Sequence, residues 1–312
     1  MVKLIKLGGT LLKEKNTYEL LKDILNKEIN INKNKVIIVV SAIGRNNDPY
    51  ATDTLKKLGP NLKGGDLDYL LGLGEIISSL IIGSKLMEFS PLIVRYNKIG
   101  IKKTNKTILD NTYLLNYLKK SNLLIVPGFI ILNSNDELTT LDRGGSDLSA
   151  VLIAKMLKLK EITLYKETGG VMSADPKLVA SPYLMKNLNY DDMYHLAKLG
   201  AKVIQKDAVK LAKEENIKIL IKSLYLDELG SVISNKSESK EILGVSVDEK
   251  YIYLIGKVKE EHVEVINSLM DEYNISITKI KLMKDYILIE VINGKRNFAL
   301  NLIHHKFMNK RS

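Results

Sequence analysis

The segment Thr139-Thr140-Leu141-Asp142-Arg143-Gly144-Gly145-Ser146-Asp147 gathers side chains able to do chemistry just before a helical pattern at Leu148–Leu157. A glycine pair at a helix start offers unpaired N–H groups and the positive end of the helix dipole to an anion. Arg143 adds a planar fork that matches a carboxylate, and Asp147 can orient a lysine or lie near Mg²⁺. Ser and Asp are also good helix-start residues, so the plain alternative is a capped N-terminus. A second glycine pair stands in Lys6-Leu7-Gly8-Gly9-Thr10. Gly8 and Gly9 let backbone N–H groups approach phosphate oxygens, and Lys6 brings a point charge for the β- and γ-phosphates. The plain alternative here is a strand-ending turn. The spacing is not that of a P-loop.

Two further runs could join them. Val39-Val40-Ser41-Ala42-Ile43-Gly44 ends a buried apolar run and continues to Asp48-Pro49-Tyr50-Ala51-Thr52-Asp53. Ligands of parallel sheets sit beyond the carboxyl ends of strands, which is where Ser41 and Thr52 fall. Gly74-Glu75-Ile76-Ile77-Ser78-Ser79 places an acid on a largely apolar helix; taken alone, Glu75 reads as a solvated edge residue. None of the four histidines falls in a motif, and with no cysteine there is neither a disulfide framework nor a thiolate metal site.

The elements that must position these residues alternate. Val2–Leu7, Val36–Val40, Pro91–Arg95, Leu123–Val126, Glu161–Tyr165 and Lys218–Lys222 read as strands. Tyr18–Ile29, Leu67–Phe89 (with a break near Gly72 and Gly74), Leu148–Leu157, Tyr190–Ala197 and Val203–Glu214 read as helices. Such alternation predicts an α/β fold with a mostly parallel sheet layered between helices. From Asp227 to Lys240 the composition turns to Ser, Asn, Lys and Glu, a linker signature. Beyond it a β-α-β-β-α order predicts a small ferredoxin-like module. The expected division is residues 1–228, a linker at 229–241, and a second domain at 242–312.

The net charge of +11 comes almost wholly from lysine spread along amphipathic segments, with five arginines and no tryptophan. That is a solvated lysine surface and gives no stacking platform for nucleic acid. No uninterrupted apolar run reaches the ~18–20 residues of a membrane span. Met1-Val2-Lys3-Leu4-Ile5-Lys6 runs into the first glycine pair without a signal-peptide core. A cytoplasmic protein with neither nucleic acid nor membrane as partner is expected.

In order along the chain stand K-L-G-G-T, V-V-S-A-I-G with D-P-Y-A-T-D-T-L, G-E-x-x-S-S, P-G-F, T-T-L-D-R-G-G-S-D and G-V-M-S-A-D-P-K. Together they resemble the aspartokinase family of the amino acid kinase superfamily, most closely its diaminopimelate-pathway type, over roughly residues 2–235. The resemblance implies a three-layer αβα sandwich with an ACT-type α+β domain. It implies transfer of the γ-phosphoryl group of ATP, with Mg²⁺, to the β-carboxylate of L-aspartate, the first step toward lysine, threonine and methionine. Lys6 would contact the transferring phosphoryl group and Asp147 would organise Lys6 and the metal. Gly8 and Gly9 would line the phosphate site. Ser41, Thr52, Gly144, Gly145 and Ser146 would lie near the substrates, Glu75 would pair with the α-ammonium of aspartate, and Arg143 with its α-carboxylate. Lys166, Glu167, Met172, Asp175, Lys177 and Lys202 stand at nucleotide-binding positions, and a homodimer through the C-terminal domain is expected.

Five departures accompany it, one of them the short, lysine-rich segment Tyr96–Ile108 where the family has a longer loop. Lys166-Glu167 replaces a Thr-Asp pair, Ile131 replaces the second glycine of a G-F-x-G turn, Asp142 replaces a glycine before Arg143, and one ACT-type module stands where the family commonly has two. They leave open a catalytically reduced relative that binds ligands or regulates.

Overall fold

Val36–Val40 carries apolar side chains at both parities, so its strand needs cover on both faces. The computed structural model describes residues 1–142, 144–225, 230–235, 241–292 and 294–308. In it Lys35–Val40 lies inside a parallel sheet, paired on one side with Val2–Leu7 and on the other with Leu123–Pro127. Leu92–Ile93 extends the sheet beyond Leu123–Pro127, while Glu161–Tyr165 and then Lys218–Lys222 extend it beyond Val2–Leu7. On one face Ile5, Leu7, Ile38 and Val40 pack with Leu11, Leu21, Leu25 and Ile82 from three helices, Gly9–Lys13, Asn16–Leu25 and Gly64–Lys85. Strand period puts Leu4 and Lys6 on the other face, and the helix Gly145–Met156 packs there across the strands. The three-layer αβα arrangement follows.

The long central helix corrects one expectation: Gly64–Lys85 runs through Gly72 and Gly74 without a break. A Cβ on Gly74 would lie 2.6 Å from the Tyr50 carbonyl oxygen and 2.9 Å from Ala42 Cβ, and one on Gly72 would lie 3.1 Å from Leu138. These glycines serve close packing, not chain reversal. The helix is also long and apolar enough by composition to cross a membrane, yet its buried positions include Glu75, Ser78 and Ser79.

A small sheet that periodicity did not show joins Thr107–Leu109, Ile101–Lys103, Ile130–Leu132 and Leu138–Thr140. Ile131, where the family pattern has a glycine, is a fully buried member of this sheet.

Contacts group Met1–Gly169 with Leu211–Leu229 in one unit, and Gly170–Lys210 with Gly230–Ser312 in another. Within the stretch read as a linker, Ser231–Ile233 is a strand paired in parallel with Asn187–Leu188. The second unit holds a four-stranded antiparallel sheet in the order Ile242–Val247, Ile252–Gly256, Tyr286–Val291, Ile277–Leu282. Helices Glu260–Glu272 and Arg296–Met308 share its core through Ile266, Met270, Leu300 and Ile303. The first of these strands was missed, although Leu243, Val245 and Val247 alternate with Gly244 and Ser246 at strand period. Gly244 is needed because a Cβ there would strike the Ser173 carbonyl.

Gly74→Ala should therefore cost about 1–3 kcal/mol, since its nearest obstacle is backbone. Gly65→Ala, with nothing within 4 Å of the added methyl, should be neutral or slightly stabilising in the same helix. Urea denaturation of the two variants checks this, and equal stability would show that the helix tolerates the methyl at Gly74.

Candidate active site

The register of the sheet decides where chemistry can occur. Leu7 pairs with Val40 and with Tyr165, Val40 with Pro127, and Tyr165 with Lys222. Gly8, Ser41, Gly128 and Lys166 therefore leave the sheet at one level, along the carboxyl edge where parallel sheets bind ligands. Backbone bonds fix these exits: Ser41 N donates to Leu7 O at 3.3 Å, Gly128 N to Val40 O at 2.9 Å and Lys166 N to Lys222 O at 2.9 Å.

Of the first glycine pair, Gly9 is the constrained member, since a Cβ there would run into the Ala42 carbonyl. Gly44 N donates to Gly9 O at 2.9 Å, tying the two post-strand loops together. In the second pair Gly144 takes a left-handed φ of 83° as the helix cap, a conformation that glycine adopts without strain. A Cβ on Gly145 would lie 2.5 Å from Leu141 Cβ. Gly128, in the P-G-F run but absent from the predicted site, has the same importance: its Cβ would lie 2.8 Å from Ser146 Cβ and 2.9 Å from Val40 O. That absent side chain brings the helix start down onto the strand ends.

Lys6 and Asp147 meet there. Lys6 Nζ is 2.9 Å from Asp147 Oδ1, and both side chains are only 6% exposed. Lys166 joins them, its Nζ 2.9 Å from both Oδ1 and Oδ2 of Asp147. Two ammonium groups thus share one buried carboxylate. Burial alone would push Asp147 up, but the charges of Lys166 and Lys6 overcome it and hold the carboxyl down at about 2. For Lys166 burial dominates and lowers it to about 8; the pull of Asp147 upward is partly cancelled by the like charge of Lys6. The sequence departure at position 166 has thereby put a second cation on the carboxylate, whereas Glu167 beside it is exposed.

Glu75 overturns the edge-residue reading. It is 3% exposed; Oε1 accepts from Ala42 N at 3.2 Å, and Oε2 is buried with no hydrogen-bond partner among the described residues. Burial raises it to about 8, against the opposing influence of the Ala42 and Glu75 N–H groups and of Lys6. Ser78, one turn on, accepts from Ile43 N at 2.9 Å and donates to Gly74 O at 2.7 Å. G-E-x-x-S-S is thus the clasp that fixes the loop after Val40.

The remaining predicted residues separate into groups. Ser146 is buried in the first turn of its helix, Ser41 is half-buried at the strand end, and Thr52 opens the helix Thr52–Leu58. Met172, Asp175, Lys177 and Lys202 belong to the second unit, where Met172 is half-buried and the other three are exposed. Asp142 is exposed. Arg143 lies outside the described residues. Asp68 was missed: it accepts from Thr139 Oγ1 at 2.5 Å and Thr140 Oγ1 at 2.8 Å, tying the Thr-Thr pair to the long helix. An acid one helical turn from the helix start, with two threonines elsewhere, carries no signal by itself.

With this geometry in place, the comparisons decide the kinship. The model of the amino acid kinase family matches residues 1–223. Aspartokinase 1 of Bacillus subtilis is 30% identical over 290 residues, 89% of this chain and 71% of that one. The chain belongs to the amino acid kinase family, among the aspartokinases. Aspartokinase 2 of the same organism is 31% identical over 217 residues, which is 67% of this chain but 53% of that protein. The chain thus spans between about half and seven tenths of the length of these relatives. In fold it is similar to Escherichia coli aspartokinase III solved with aspartate and ADP, with a TM-score of 0.67 at 17% identity over 97% of this chain and 84% of that one.

The raised Glu75 predicts a pH effect with a definite sign. Between the ordinary value of 4.5 and about 8, the folded chain holds a proton that the unfolded chain has released, so stability falls as pH rises through that window. Glu75→Gln removes the ionisation and should gain on the order of 1–3 kcal/mol over the wild type at pH 9, and much less at pH 5. Thermal unfolding at the two pH values checks it; a constant difference would mean that Glu75 is already ionised in the folded chain.

Proposed function

We propose that this chain is an ATP-dependent aspartate kinase, forming 4-phospho-L-aspartate and ADP from L-aspartate and ATP. The observation that carries the reading is the pair of lysines on buried Asp147, close to a buried carboxylate with one unsatisfied oxygen. Two anions, a triphosphate and a carboxylate, must be brought together, and concentrated positive charge in a dry site does this most effectively. The acceptor carboxylate is ionised at neutral pH, so it needs no general base, in keeping with a site without histidine. Its oxygen attacks the γ-phosphorus, the bond to the β–γ bridging oxygen breaks, and ADP leaves. Lys6 and Lys166 stabilise the charge on the transferring group, and Asp147 fixes both. Glu75, protonated when alone, releases its proton to solvent as an α-ammonium group arrives, and the ammonium N–H groups then donate to the carboxylate, Oε2 included.

For Mg²⁺, both oxygens of Asp147 are engaged by ammonium groups. The metal would therefore arrive on the ATP phosphates and neutralise part of their charge. By the family resemblance Arg143 takes the α-carboxylate, while Ser41, Thr52, Gly144, Gly145 and Ser146 line the substrates. Gly8, Gly9, Glu167, Met172, Asp175, Lys177 and Lys202 serve the nucleotide. Residues 1–228 form the kinase domain in this reading, and 242–312 the ACT-type domain through which two chains pair. The edge strand Ile277–Leu282 supports pairing, since an unpaired edge can add a strand from another copy. A cytoplasmic location fits the substrates.

Trapping of the acyl phosphate with hydroxylamine, in the presence of ATP and aspartate, tests the activity. Hydroxamate formation is expected; binding of both ligands without it would favour a ligand-binding relative. Lys6→Ala and Asp147→Ala should each abolish turnover in folded protein. Lys166→Met should lower kcat by about 10²–10³-fold, the scale of losing one preorganised charge contact. Near-normal kcat in Lys166→Met would show that Lys166 serves only to neutralise Asp147.

A further inference from the structure

The segment Val171–Lys177, which the resemblance assigns to nucleotide, has exposed side chains at Asp175 and Lys177. Asp175 Oδ1 accepts from Lys177 N at 2.9 Å, a local turn that gives the loop shape but no attachment. Within the second unit Val171 and Met172 pair with Met185 and Leu184, Val171 N donates to Ser231 Oγ at 2.8 Å, and further attachments come from the C-terminal residues. Val245 N donates to Ser173 O at 2.9 Å. Ser173 Oγ lies 2.9 Å from His304 Nε2 and also accepts from Tyr183 N at 3.0 Å. Asn301 Nδ2 donates to Leu178 O at 2.8 Å, and Asn301 Oδ1 accepts from Ala180 N at 3.3 Å. Ala174 and Val179 are buried in the same core as Leu300, Ile303 and Met308.

Asn301 and His304 are three residues apart on the helix Arg296–Met308 and so share one face. One grips the loop before the Asp-Pro turn and the other grips the chain after it. Ser173 and His304 are each at least 98% buried, and burial, with the neighbouring His305, lowers the imidazole below its ordinary value. A neutral ring can hold the hydroxyl without a counter-ion. Buried polar groups are kept where each has a partner, and such a bond fixes position as well as adding stability.

We infer that His304 and Asn301 are positioning residues for the nucleotide loop, holding it in shape from within the second unit. The inference rests on the kinase reading for the identity of the ligand. It goes beyond pairing as the task of residues 242–312: a change in the last helix moves the loop through Ser173 and through the carbonyl of Leu178.

Steady-state kinetics on the full chain test it with Ser173→Ala, His304→Ala, His304→Gln and the double variant Ser173→Ala/His304→Ala. Each alanine variant should raise KM for ATP about tenfold, the scale of one buried hydrogen bond, with KM for aspartate unchanged. His304→Gln, which retains a side-chain amide, should recover part of the loss. The double variant should be no worse than the poorer single one, because both remove the same contact. Ser173→Ala keeps the test alive should His304→Ala fail to fold. A folded Ser173→Ala with both KM values unchanged, or with both raised equally, overturns the inference. Binding of a non-hydrolysable ATP analogue by calorimetry separates the two readings. A wild type that binds none removes the kinase reading, whereas equal binding by wild type and Ser173→Ala removes only the role of His304.

Discussion

The double ion pair on Asp147 is the contact around which the first unit is arranged. Two ammonium groups and a carboxylate are costly to bury, and the cost falls only when all three are held at bonding distance. Lys6 is held by a strand bonded on both sides, Lys166 by the exit of the neighbouring strand, and Asp147 by the first turn of a helix. The glycines at 9, 128 and 145 serve that constraint, since a methyl group on any of them would separate the helix start or the loops from the strand ends.

The pairing leaves surplus charge. Two cations against one anion leave a net positive site in a place with little water, which suits phosphate oxygens. Glu75 is the complement: burial withholds its charge, and one of its oxygens has no hydrogen-bond partner among the described residues. Opposite pressures act on the two carboxylates: the lysine charges hold one at about 2 and burial raises the other to about 8, a separation of the kind that lets two carboxylates of one site differ in protonation at neutral pH.

The second unit follows a different logic. Its core draws on Ala174 and Val179 as well as on the C-terminal strands and helices, so the chain passes into this unit well before the composition shift at 227. Composition reports solvation, and it changes where the chain is exposed; contacts report packing, and they change where apolar faces are shared. Ser231–Ile233 is a strand within a polar stretch because its backbone has a partner in Asn187–Leu188, which no local pattern reveals.

The sequence by itself determined the parallel sheet, the helix that opens at the glycine pair, and two separate runs of chemically able residues, one with Lys6, Gly8 and Gly9 and one with Ser146 and Asp147. Strand period, apolar runs and glycine pairs are local signals that survive without a partner. Tertiary structure alone decided the rest. Lys166 reads as a departure from a motif until the register of Glu161–Tyr165 against Val2–Leu7 places it beside Asp147. Glu75 reads as a solvated acid until the loop after Val40 closes over it, and Gly72 and Gly74 read as a helix break until Leu138, Ala42 and Tyr50 occupy the space a side chain would need. In each case the local pattern shows what a residue can do, while its charge state and its role depend on groups distant in sequence, which only folding brings within a few ångströms.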